Sequence, residues 1–391
     1  MGSAAKPAPV IVVGAGPAGL AAGACLKQRG ITPLILEAGD APGYTWIRLY
    51  DRLHLHTVKA LSGLPGFPMP RDFPRYPSRA QVVEYLTAYS QHFGLTIETN
   101  CPVTSAAPEA DGWRVTTPRG DYSAQALVSA TGVFSQPMSA TYPDQALFSG
   151  HVLHASAYKN AAPFAGQRVL IVGAGNTGAE IALDLAEHGV TPTIAIRAGA
   201  NVVPLNLLGV PIQRWAHVIN ALPHSVTSLV APVLLRRSAQ RQERAGVPRP
   251  AYSVLERPGI PIIGLDLLHY AQQGTVRVAG AIQRFTPTGV RFANGDQADF
   301  NSIILATGYR PALGYLADAV PLDEAGRPAL DGVRAANVPH LYFVGMNYGL
   351  LGTLFNISRE APLVADLIAK ELSASGPADQ AALASHEHRK A

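Results

Sequence analysis

Residues 10–20, Val-Ile-Val-Val-Gly-Ala-Gly-Pro-Ala-Gly-Leu, carry an apolar strand straight into the motif Gly14-x-Gly16-x-x-Gly19 and then into an alanine-rich helix. In such a turn the first glycine permits the tight reversal, the second lets the backbone approach a pyrophosphate, and the third lets helix and strand pack closely. The phosphates then meet the positive N-terminus of the helix. A second strand ends in Glu37, 18 residues after Gly19, where a carboxylate can accept hydrogen bonds from ribose hydroxyls. The stretch predicts a dinucleotide-binding βαβ unit.

The first nucleotide site is predicted to hold FAD. The apolar strand at 126–130 ends in the small-residue turn Ala130-Thr131-Gly132, which would return the chain to the cofactor. No histidine or cysteine stands in a recognisable flavinylation motif, so we expect the flavin to be non-covalent. The candidate FAD-binding residues are Gly14, Ala15, Gly16, Pro17, Ala18, Gly19, Glu37, Ala38, Trp46, Val103, Ala130, Thr131, Gly132, Gly345 and Leu351.

Residues 41–77 form an irregular segment that is rich in proline, glycine and aromatic rings. Two interpretations remain open. The rings plug the edge of a core, which is the better interpretation for any single ring, or as a group they wall a flavin or substrate pocket. After this segment, Arg79 to Phe93 has the apolar periodicity of an amphipathic helix.

Composition excludes several classes of protein. With 391 residues, 48% of them hydrophobic, the chain can form two or three domains with large cores. A net charge of +4 on so large a surface argues against a nucleic-acid partner. Cys25 and Cys101 are far apart and form no CxxC pair, which excludes a disulfide framework, a metal site of zinc-finger type and a dithiol redox centre. We therefore expect no metal and a reducing, cytoplasmic location, and the N-terminus lacks the pattern of a signal peptide.

The dinucleotide unit recurs 159 residues later in the chain. Gly173-Ala-Gly175-Asn-Thr-Gly178 aligns with the first motif, and Gly189 and Thr191-Pro192 align with Gly30 and Thr32-Pro33. A whole βαβ unit is therefore repeated, and the sequence predicts a second nucleotide site.

The second copy differs from the first where the ribose is bound. Ile196 replaces the acid and Arg197 follows it. Loss of the carboxylate removes repulsion of a 2′-phosphate, which an arginine can grip with its planar fork; the alternative is an ordinary surface arginine. We predict an NADPH site. Its candidate residues are Gly173, Ala174, Gly175, Asn176, Thr177, Gly178, Arg197, and Thr307 and Gly308 from a second Ala-Thr-Gly turn.

Residues 202–250 belong to neither motif. Leu205 to Leu235 is apolar but interrupted by charged residues and prolines, which makes it a poor transmembrane helix. It is either a substrate lid or a surface that meets lipid. The arginines from 236 to 249 are more typical of a solvated helix face than of a membrane-binding surface.

These patterns predict an α/β protein with two Rossmann-like domains, each with three ββα layers. The NADPH domain is inserted into the FAD domain. The expected limits are 1–150 for the first part of the FAD domain, 151–312 for the NADPH domain with an apolar helical insertion at about 202–250, and 313–391 for the C-terminal part of the FAD domain.

A third motif lies between the two glycine motifs. Phe148-x-Gly150-x-x-x-His154-x-x-x-Tyr158-Lys159 resembles the fingerprint of the class B flavin-dependent monooxygenases. Tyr50-Asp-Arg-Leu-His-Leu-His56, Asp72-Phe-Pro-x-Tyr-Pro77 and the segment at Gly345 resemble the YUCCA-type branch, which in plants converts indole-3-pyruvate to indole-3-acetate. The resemblance runs from about Val10 to about Ile368. An excess of alanine, and of arginine over lysine, is more typical of a bacterial protein.

The resemblance implies FAD-dependent oxygenation. NADPH reduces FAD, O₂ adds at flavin C4a, and one oxygen passes to a small organic substrate by way of the resulting peroxide. In relatives that oxygenate nitrogen or sulfur, an asparagine near the flavin edge precedes a lysine by three residues; His56 and Lys59 take those positions here. We expect these two residues to be catalytic, with a cation at this edge favouring an anionic peroxide and holding the carboxylate of a 2-oxo acid. A surface lysine is the alternative for Lys59, and a linker role is favoured for His154.

The leading hypothesis is thus an NADPH-dependent monooxygenase that decarboxylates an aromatic 2-oxo acid in a Baeyer-Villiger-like reaction. The alternatives are an N- or S-oxygenase and, from another class, an NADPH oxidase or a flavin redox carrier for a partner protein. The absence of a CxxC argues against a disulfide reductase. We expect a monomer or homodimer whose partner is a small molecule.

Overall fold

The protein was analysed as a computed structural model that describes residues 5–220, 224–252, 261–349 and 351–374. The described residues form eight α-helices, which are α1 (Pro17–Gln28), α2 (Tyr44–Arg48), α3 (Arg79–His92), α4 (Asn176–Glu187), α5 (Ile212–Asn220), α6 (His224–Arg244), α7 (Asp266–Gln272) and α8 (Thr353–Ala374). The sequence predicts that the polar stretch from Ser373 to Ala391 is frayed; Ser373 and Ala374 belong to α8, and the remainder lies outside the described residues.

The larger sheet has nine strands, and its centre is parallel. In spatial order the strands are Leu330–Asp331, Arg334–Ala335, Leu341–Phe343, Gly120–Ser129, Lys6–Val13, Leu34–Leu36 and Ile97–Glu98, with the hairpin Ser105–Glu109 and Gly112–Thr117 paired to Gly120–Ser129.

The position of the strand Lys6–Val13 in the fold explains why its residues Val10–Val13 are all apolar. Val10 and Val12 pack into a core with α1, α3 and α8, whereas Ile11 and Val13 pack on the opposite face, into a core with the antiparallel hairpin. Successive side chains of a strand point to opposite faces, so a strand that is covered on both sides must be apolar throughout. The result is the predicted order of antiparallel sheet, parallel sheet and helices.

The second sheet has five parallel strands. They are, in spatial order, Arg277–Ala279, Thr193–Ala195, Val169–Val172, Ser302–Leu305 and His151–His154. Val169 and Ile171 face a core that α4 and α7 cover, and Leu170 and Val172 face the antiparallel sheet of Ile282–Phe285, Gly289–Phe292 and Gln297–Asp299. The fold class predicted from the sequence, two Rossmann-like ββα units, is therefore confirmed. Every strand of the second sheet falls within 151–305.

The helix predicted at Arg79 to Phe93 is confirmed as α3. It begins with a capping box in which the hydroxyl of Ser78 accepts from the backbone of Gln81 while the side chain of Gln81 accepts from the backbone of Ser78. The sequence from Ile357 to Glu371 predicts a closing helix, and α8 begins four residues earlier, at Thr353, and includes Pro362. Its apolar residues from Leu354 to Ile368 pack into the core with α1.

The segment at 202–250 is more regular than its sequence indicates. It contains a short hairpin of Asn206–Leu207 and Val210–Pro211, followed by α5 and α6. In α6 the arginines at 236, 237, 241 and 244 are exposed while Ser238 and Gln242 are buried, so the predicted solvated face is confirmed. Among the described helices, none has the length and apolarity needed to cross a bilayer.

Candidate functional site

The first glycine motif has the geometry that a nucleotide needs. Gly14 has a φ of +102°, and a Cβ there would lie 2.8 Å from the carbonyl oxygen of Ala130. A Cβ on Gly19 would lie 1.8 Å from the oxygen of Gly14, so both positions exclude any side chain. A Cβ on Gly16 would meet nothing within 4 Å. Since no side chain caps α1 at Gly16, its first N–H groups face this open space.

Glu37 lies beside that motif and is buried. Its carboxylate accepts hydrogen bonds from the backbone N–H of Ala15 at 2.6 Å and of Gly39 at 2.8 Å. Each carboxylate oxygen can accept more than one donor. The acid is therefore fixed at the glycine loop, in the place where a ribose acid is expected, and its oxygens retain capacity for ribose hydroxyls.

The Ala130-Thr131-Gly132 turn faces the same loop. The hydroxyl of Thr131 is buried and has no hydrogen-bond partner among the described residues. A buried hydroxyl without a partner is costly, and a bound group that supplied one would remove that cost. The open space before Gly16, the fixed carboxylate and this hydroxyl together fit a bound FAD.

Gly345 approaches the first nucleotide site from the C-terminal part of the chain. A Cβ on Gly345 would lie 3.1 Å from the Cβ of Ala18. Its N–H donates to Glu360 Oε2 at 2.7 Å, and the side chain of Asn347 donates to Glu360 Oε1 at 2.7 Å. Glu360 is a buried acid of α8. It holds the 345–347 turn against α1, a contact that the sequence did not reveal.

The second glycine motif repeats the geometry of the first. A Cβ on Gly173 would lie 2.4 Å from the oxygen of Ala306, and one on Gly178 would lie 2.1 Å from the oxygen of Gly173. Gly175 has open space and precedes α4 without a capping side chain. The second Ala-Thr-Gly turn thus begins at this motif, with the N atom of Thr307 3.8 Å from the Cβ position of Gly173.

The ribose end of the second site also follows the predicted pattern. Ile196 is buried and its N–H donates to the oxygen of Ala279. Arg197 is exposed. Its charge is close enough to Tyr142 to oppose the rise in the pKa of that phenol, which burial causes. The carboxylate of the first site is therefore replaced by an apolar residue that a cation follows, an arrangement that fits a nucleotide with a 2′-phosphate.

The side chain of Asn176, which the sequence predicts to bind NADPH, binds other parts of the protein instead. Its side chain accepts from the N–H of Ile263 at 2.8 Å and donates to the oxygen of Pro261 at 3.1 Å. The amide therefore joins the glycine loop to the strand at which the insertion returns to the domain. Only the backbone of Asn176 remains for phosphate.

The fingerprint residues join the two nucleotide units. Gly150 is required because a Cβ there would lie 2.5 Å from both the oxygen of Asn301 and the ring of Phe148. His154 Nε2 lies 3.2 Å from the carbonyl oxygen of Gly308, in the second Ala-Thr-Gly turn. Burial lowers the pKa of His154, and the hydrogen bond to this carbonyl only partly opposes it. This contact fits the linker role.

The end of the fingerprint contacts both units. Tyr158 donates to Asp184 of α4 at 2.5 Å, and the ammonium of Lys159 donates to the oxygens of Ile47 and Leu49, each at 3.0 Å. The fingerprint therefore fixes the loop after α2 against the helix that begins at the second glycine motif.

His56 belongs to a network of charges between the two units. Its Nε2 lies 3.4 Å from Oε1 of Glu180 on α4. Arg52 donates to the other oxygen of Glu180 and binds Glu187 through two hydrogen bonds of 3.0 and 2.7 Å. Burial raises the pKa of Glu180, but the hydrogen bond with His56 and the charge of Arg52 outweigh it, so that the net pKa is lowered. Glu180 thus carries a stable negative charge.

Lys59 has a different environment. Its ammonium donates to the carbonyl oxygens of Pro70, Arg71 and Phe73, at 3.4 and 2.5 Å for the first two. An ammonium has three N–H donors, so this set satisfies all of them. This geometry favours a structural role for Lys59, which braces the loop at 59–73, over the predicted binding of a substrate carboxylate.

The rings of the aromatic segment described here follow the first interpretation, since they pack in or against a core. Phe67 stacks on Tyr85 of α3 with ring centroids 5.9 Å apart, and Phe73 is buried in the same core, so these rings pack. Trp46 packs at the edge of that core and Val103 at the edge of the core on the other face of the sheet. Ala38 is exposed beside Glu37.

The spacing of the acids in α4 is a sequence signal for this network. Glu180, Asp184 and Glu187 are spaced i, i+4 and i+7 along α4 and so share one face of the helix. Acids on one face of an otherwise apolar helix require cationic or donor partners if they are buried. Arg52, in the Tyr-Asp-Arg segment, is the partner of Glu180 and Glu187, and Tyr158 is the partner of Asp184.

Comparison with known proteins is consistent with this geometry. The model of a family described as pyridine nucleotide-disulphide oxidoreductase matches residues 11–203. An indole-3-pyruvate monooxygenase, YUCCA1 of Oryza sativa subsp. japonica, is 36% identical over 367 residues, 88% of each chain. A probable indole-3-pyruvate monooxygenase, YUCCA1 of Arabidopsis thaliana, is 33% identical over 93% of this chain and 91% of its own.

Solved structures show the same relationship. A double mutant of a flavin monooxygenase from Stenotrophomonas maltophilia is 28% identical, with a TM-score of 0.75, over 94% of this chain and 99% of its own. A cyclohexanone monooxygenase is 19% identical with a TM-score of 0.73, over 95% and 89%, a likeness of fold.

Proposed function

This chain belongs to the flavin-dependent monooxygenase family, and from that premise we propose that it uses FAD and NADPH to oxygenate a small aromatic 2-oxo acid. The balanced reaction consumes the 2-oxo acid, O₂, NADPH and a proton, and yields the acid shortened by one carbon, CO₂, water and NADP⁺. One oxygen atom enters the product and the other leaves as water. We assign residues 1–150 and 313–391 to FAD, and 151–312 to NADPH.

The observation that carries the proposal is the pair of glycine cradles joined by the fingerprint. FAD, when bound, supplies the redox chemistry, since it accepts hydride from NADPH and activates O₂. The open loop at Gly16 and the fixed carboxylate of Glu37 hold its nucleotide part. The open loop at Gly175 holds the pyrophosphate of NADPH, and Arg197 pairs with the 2′-phosphate.

His56 is the side chain that we assign to the reacting edge. Glu180 holds the Nε2 atom of His56 and so fixes the orientation of the ring. Because Glu180 belongs to the helix that begins at the NADPH loop, the position of His56 depends on both nucleotide units. Lys59 supports this edge indirectly, since it braces the loop that follows.

The substrate class is favoured by the relatives that are named indole-3-pyruvate monooxygenases and align over most of the chain. The location is proposed to be cytoplasmic, as the two buried, unpaired thiols Cys25 and Cys101 suggest.

The test begins with the purified protein. Acid precipitation should release FAD into the supernatant, since no covalent link is expected. Indole-3-pyruvate and phenylpyruvate should then couple NADPH oxidation to oxygen uptake, and ¹⁸O₂ should place one labelled atom in the shortened acid. Thioethers and amines serve as the comparison. Efficient oxygenation of thioethers, with only peroxide formed from the 2-oxo acids, would replace this proposal with an N- or S-oxygenase. Peroxide alone from every compound would make the protein an NADPH oxidase.

A further inference from the structure

The insertion at 202–250 is attached to the FAD unit by the hydroxyl of Tyr76, which donates to Asn206 Oδ1 at 2.8 Å, and by the buried amide of Gln213. Gln213 of α5 is only 2% exposed. Its Oε1 accepts from the N–H of Val58 at 2.7 Å, and its Nε2 donates to the carbonyl oxygen of Leu351. These partners are 155 and 138 residues away in the chain. One side chain therefore joins the insertion to two separate loops of the FAD unit.

Both loops border the reacting edge. Val58 lies between His56 and Lys59, and Leu351 immediately precedes the N-terminal end of α8. The loops touch each other next to Gln213. A Cβ on Gly352 would lie 2.7 Å from Cγ2 of Thr57 and 3.4 Å from Nε2 of Gln213. The amide of Gln213 thus closes a three-way junction.

The rest of α5 shows that it lies across this junction with one face outward. Ala216 is buried on the same side as Gln213, whereas Arg214, His217 and Val218 are exposed. Trp215 donates from Nε1 to the oxygen of Leu207 at 3.0 Å, which ties the helix to the hairpin before it.

A second amide lies at the base of the insertion, where the strand Ile262–Ile263 pairs with Val202–Val203, and again beside a cofactor loop. Asn176, in the NADPH motif, binds Pro261 and Ile263, where the insertion rejoins its domain. Asn176 thus fixes the base of the insertion at the NADPH side, while Gln213 fixes α5 at the flavin side.

We propose that α5 is the cover of the substrate side of the flavin site and that Gln213 is the positioning residue that keeps it closed. This proposal rests on the proposed function. A closed cover excludes water from the reacting edge, and water there diverts electrons from NADPH to H₂O₂. Gln213 acts through the loops of Val58 and Leu351 and does not itself react.

The test compares Gln213→Met with Gln213→Glu, and uses Arg214→Ala as the matched control on the exposed face of the same helix. Methionine keeps the length of the side chain but removes both hydrogen bonds. Glutamate keeps the acceptor for Val58 and replaces the donor to Leu351 by an oxygen. Three measurements are made on the FAD-loaded protein. They are amide hydrogen exchange in α5 and at Val58, quenching of flavin fluorescence by iodide, and the fraction of NADPH electrons that appear as H₂O₂.

In Gln213→Met we expect amide exchange in α5 to accelerate roughly tenfold or more, because opening needs no buried hydrogen bond to break. Iodide quenching should increase, and the H₂O₂ fraction should rise by a factor on the order of three, while the anaerobic rate of flavin reduction stays within about twofold. For all three measurements, Gln213→Glu should give values between those of the wild type and Gln213→Met, and Arg214→Ala should give the wild-type values.

Faster exchange in Gln213→Met without greater quenching would overturn the proposal, since α5 would then not cover the flavin. Unchanged exchange would also overturn it, because Gln213 would not hold the helix. If the wild type oxygenates no compound, the proposed function fails on its own. Exchange and quenching still decide whether Gln213 holds a cover over the flavin.

Discussion

Replacement of Gly175 by alanine tests the second nucleotide site most directly. The residue has φ −91° and ψ −178°, an extended conformation that alanine adopts, and its Cβ would meet nothing within 4 Å. The cost to folding should be about 1 kcal/mol or less, the difference between glycine and alanine at a helix N-cap. The added methyl group does, however, stand in the space where a pyrophosphate approaches the backbone.

The expected loss of NADPH affinity follows from the contacts that the methyl group prevents. If the phosphate is displaced from one charge-assisted hydrogen bond of the helix N-terminus, about 2–3 kcal/mol is lost, which corresponds to a roughly 30- to 160-fold higher Kd. Flavin content and the visible spectrum should not change, since the FAD site lies in the other unit. Anaerobic flavin reduction, measured by stopped flow against NADPH concentration, gives this Kd.

Two further glycine substitutions serve as controls for Gly175→Ala. Gly178→Ala places a Cβ 2.1 Å from the oxygen of Gly173, so we expect it to impair folding of the unit rather than binding alone. Gly16→Ala, the equivalent change in the first motif, should lower FAD content and leave the second unit folded. An unchanged Kd for NADPH in Gly175→Ala would refute the assignment of the pyrophosphate to this loop.

Three further predictions concern charged and titratable residues. Arg197→Glu should raise the Michaelis constant for NADPH by roughly 10- to 150-fold more than that for NADH, because only NADPH loses a charge-assisted contact with a phosphate of about 1.5–3 kcal/mol; equal effects would move the phosphate site elsewhere. Lys59→Met should lower the free energy of unfolding by about 1–3 kcal/mol and expose the loop at 70–73 to proteases. A selective rise in the Michaelis constant for the 2-oxo acid, with stability unchanged, would instead support carboxylate binding by Lys59. Burial lowers the pKa of His154 from 6.5, so the unfolded chain binds its proton more readily. The stability that neutral His154 provides is complete above pH 6.5 and is lost as the pH falls through the lowered folded value. His154→Gln should therefore flatten the fall in Tm below pH 6.5, and an unchanged profile in that variant would contradict the pKa shift.

The sequence by itself determined the two nucleotide folds, because the constraints there are local. The glycines at 14 and 173 need a positive φ, those at 19 and 178 need the absence of a side chain within the same turn, and the acid or arginine follows at a fixed distance along the next strand. The continuous apolar composition of the central strands also indicated that both faces of each sheet are covered.

Only the tertiary structure decided what the polar residues between the motifs do. The sequence predicts that Lys59 binds the carboxylate of the substrate. Its three carbonyl partners instead lie 11 to 14 residues further along the chain, in an irregular loop without periodicity. Gln213, Glu180 and Glu360 each bind groups from other parts of the chain, and Glu360 binds a backbone N–H 15 residues away. A hydrogen bond acts over about 3 Å in space, and its partner can come from any part of the chain that folding brings there, so residue spacing carries no record of it.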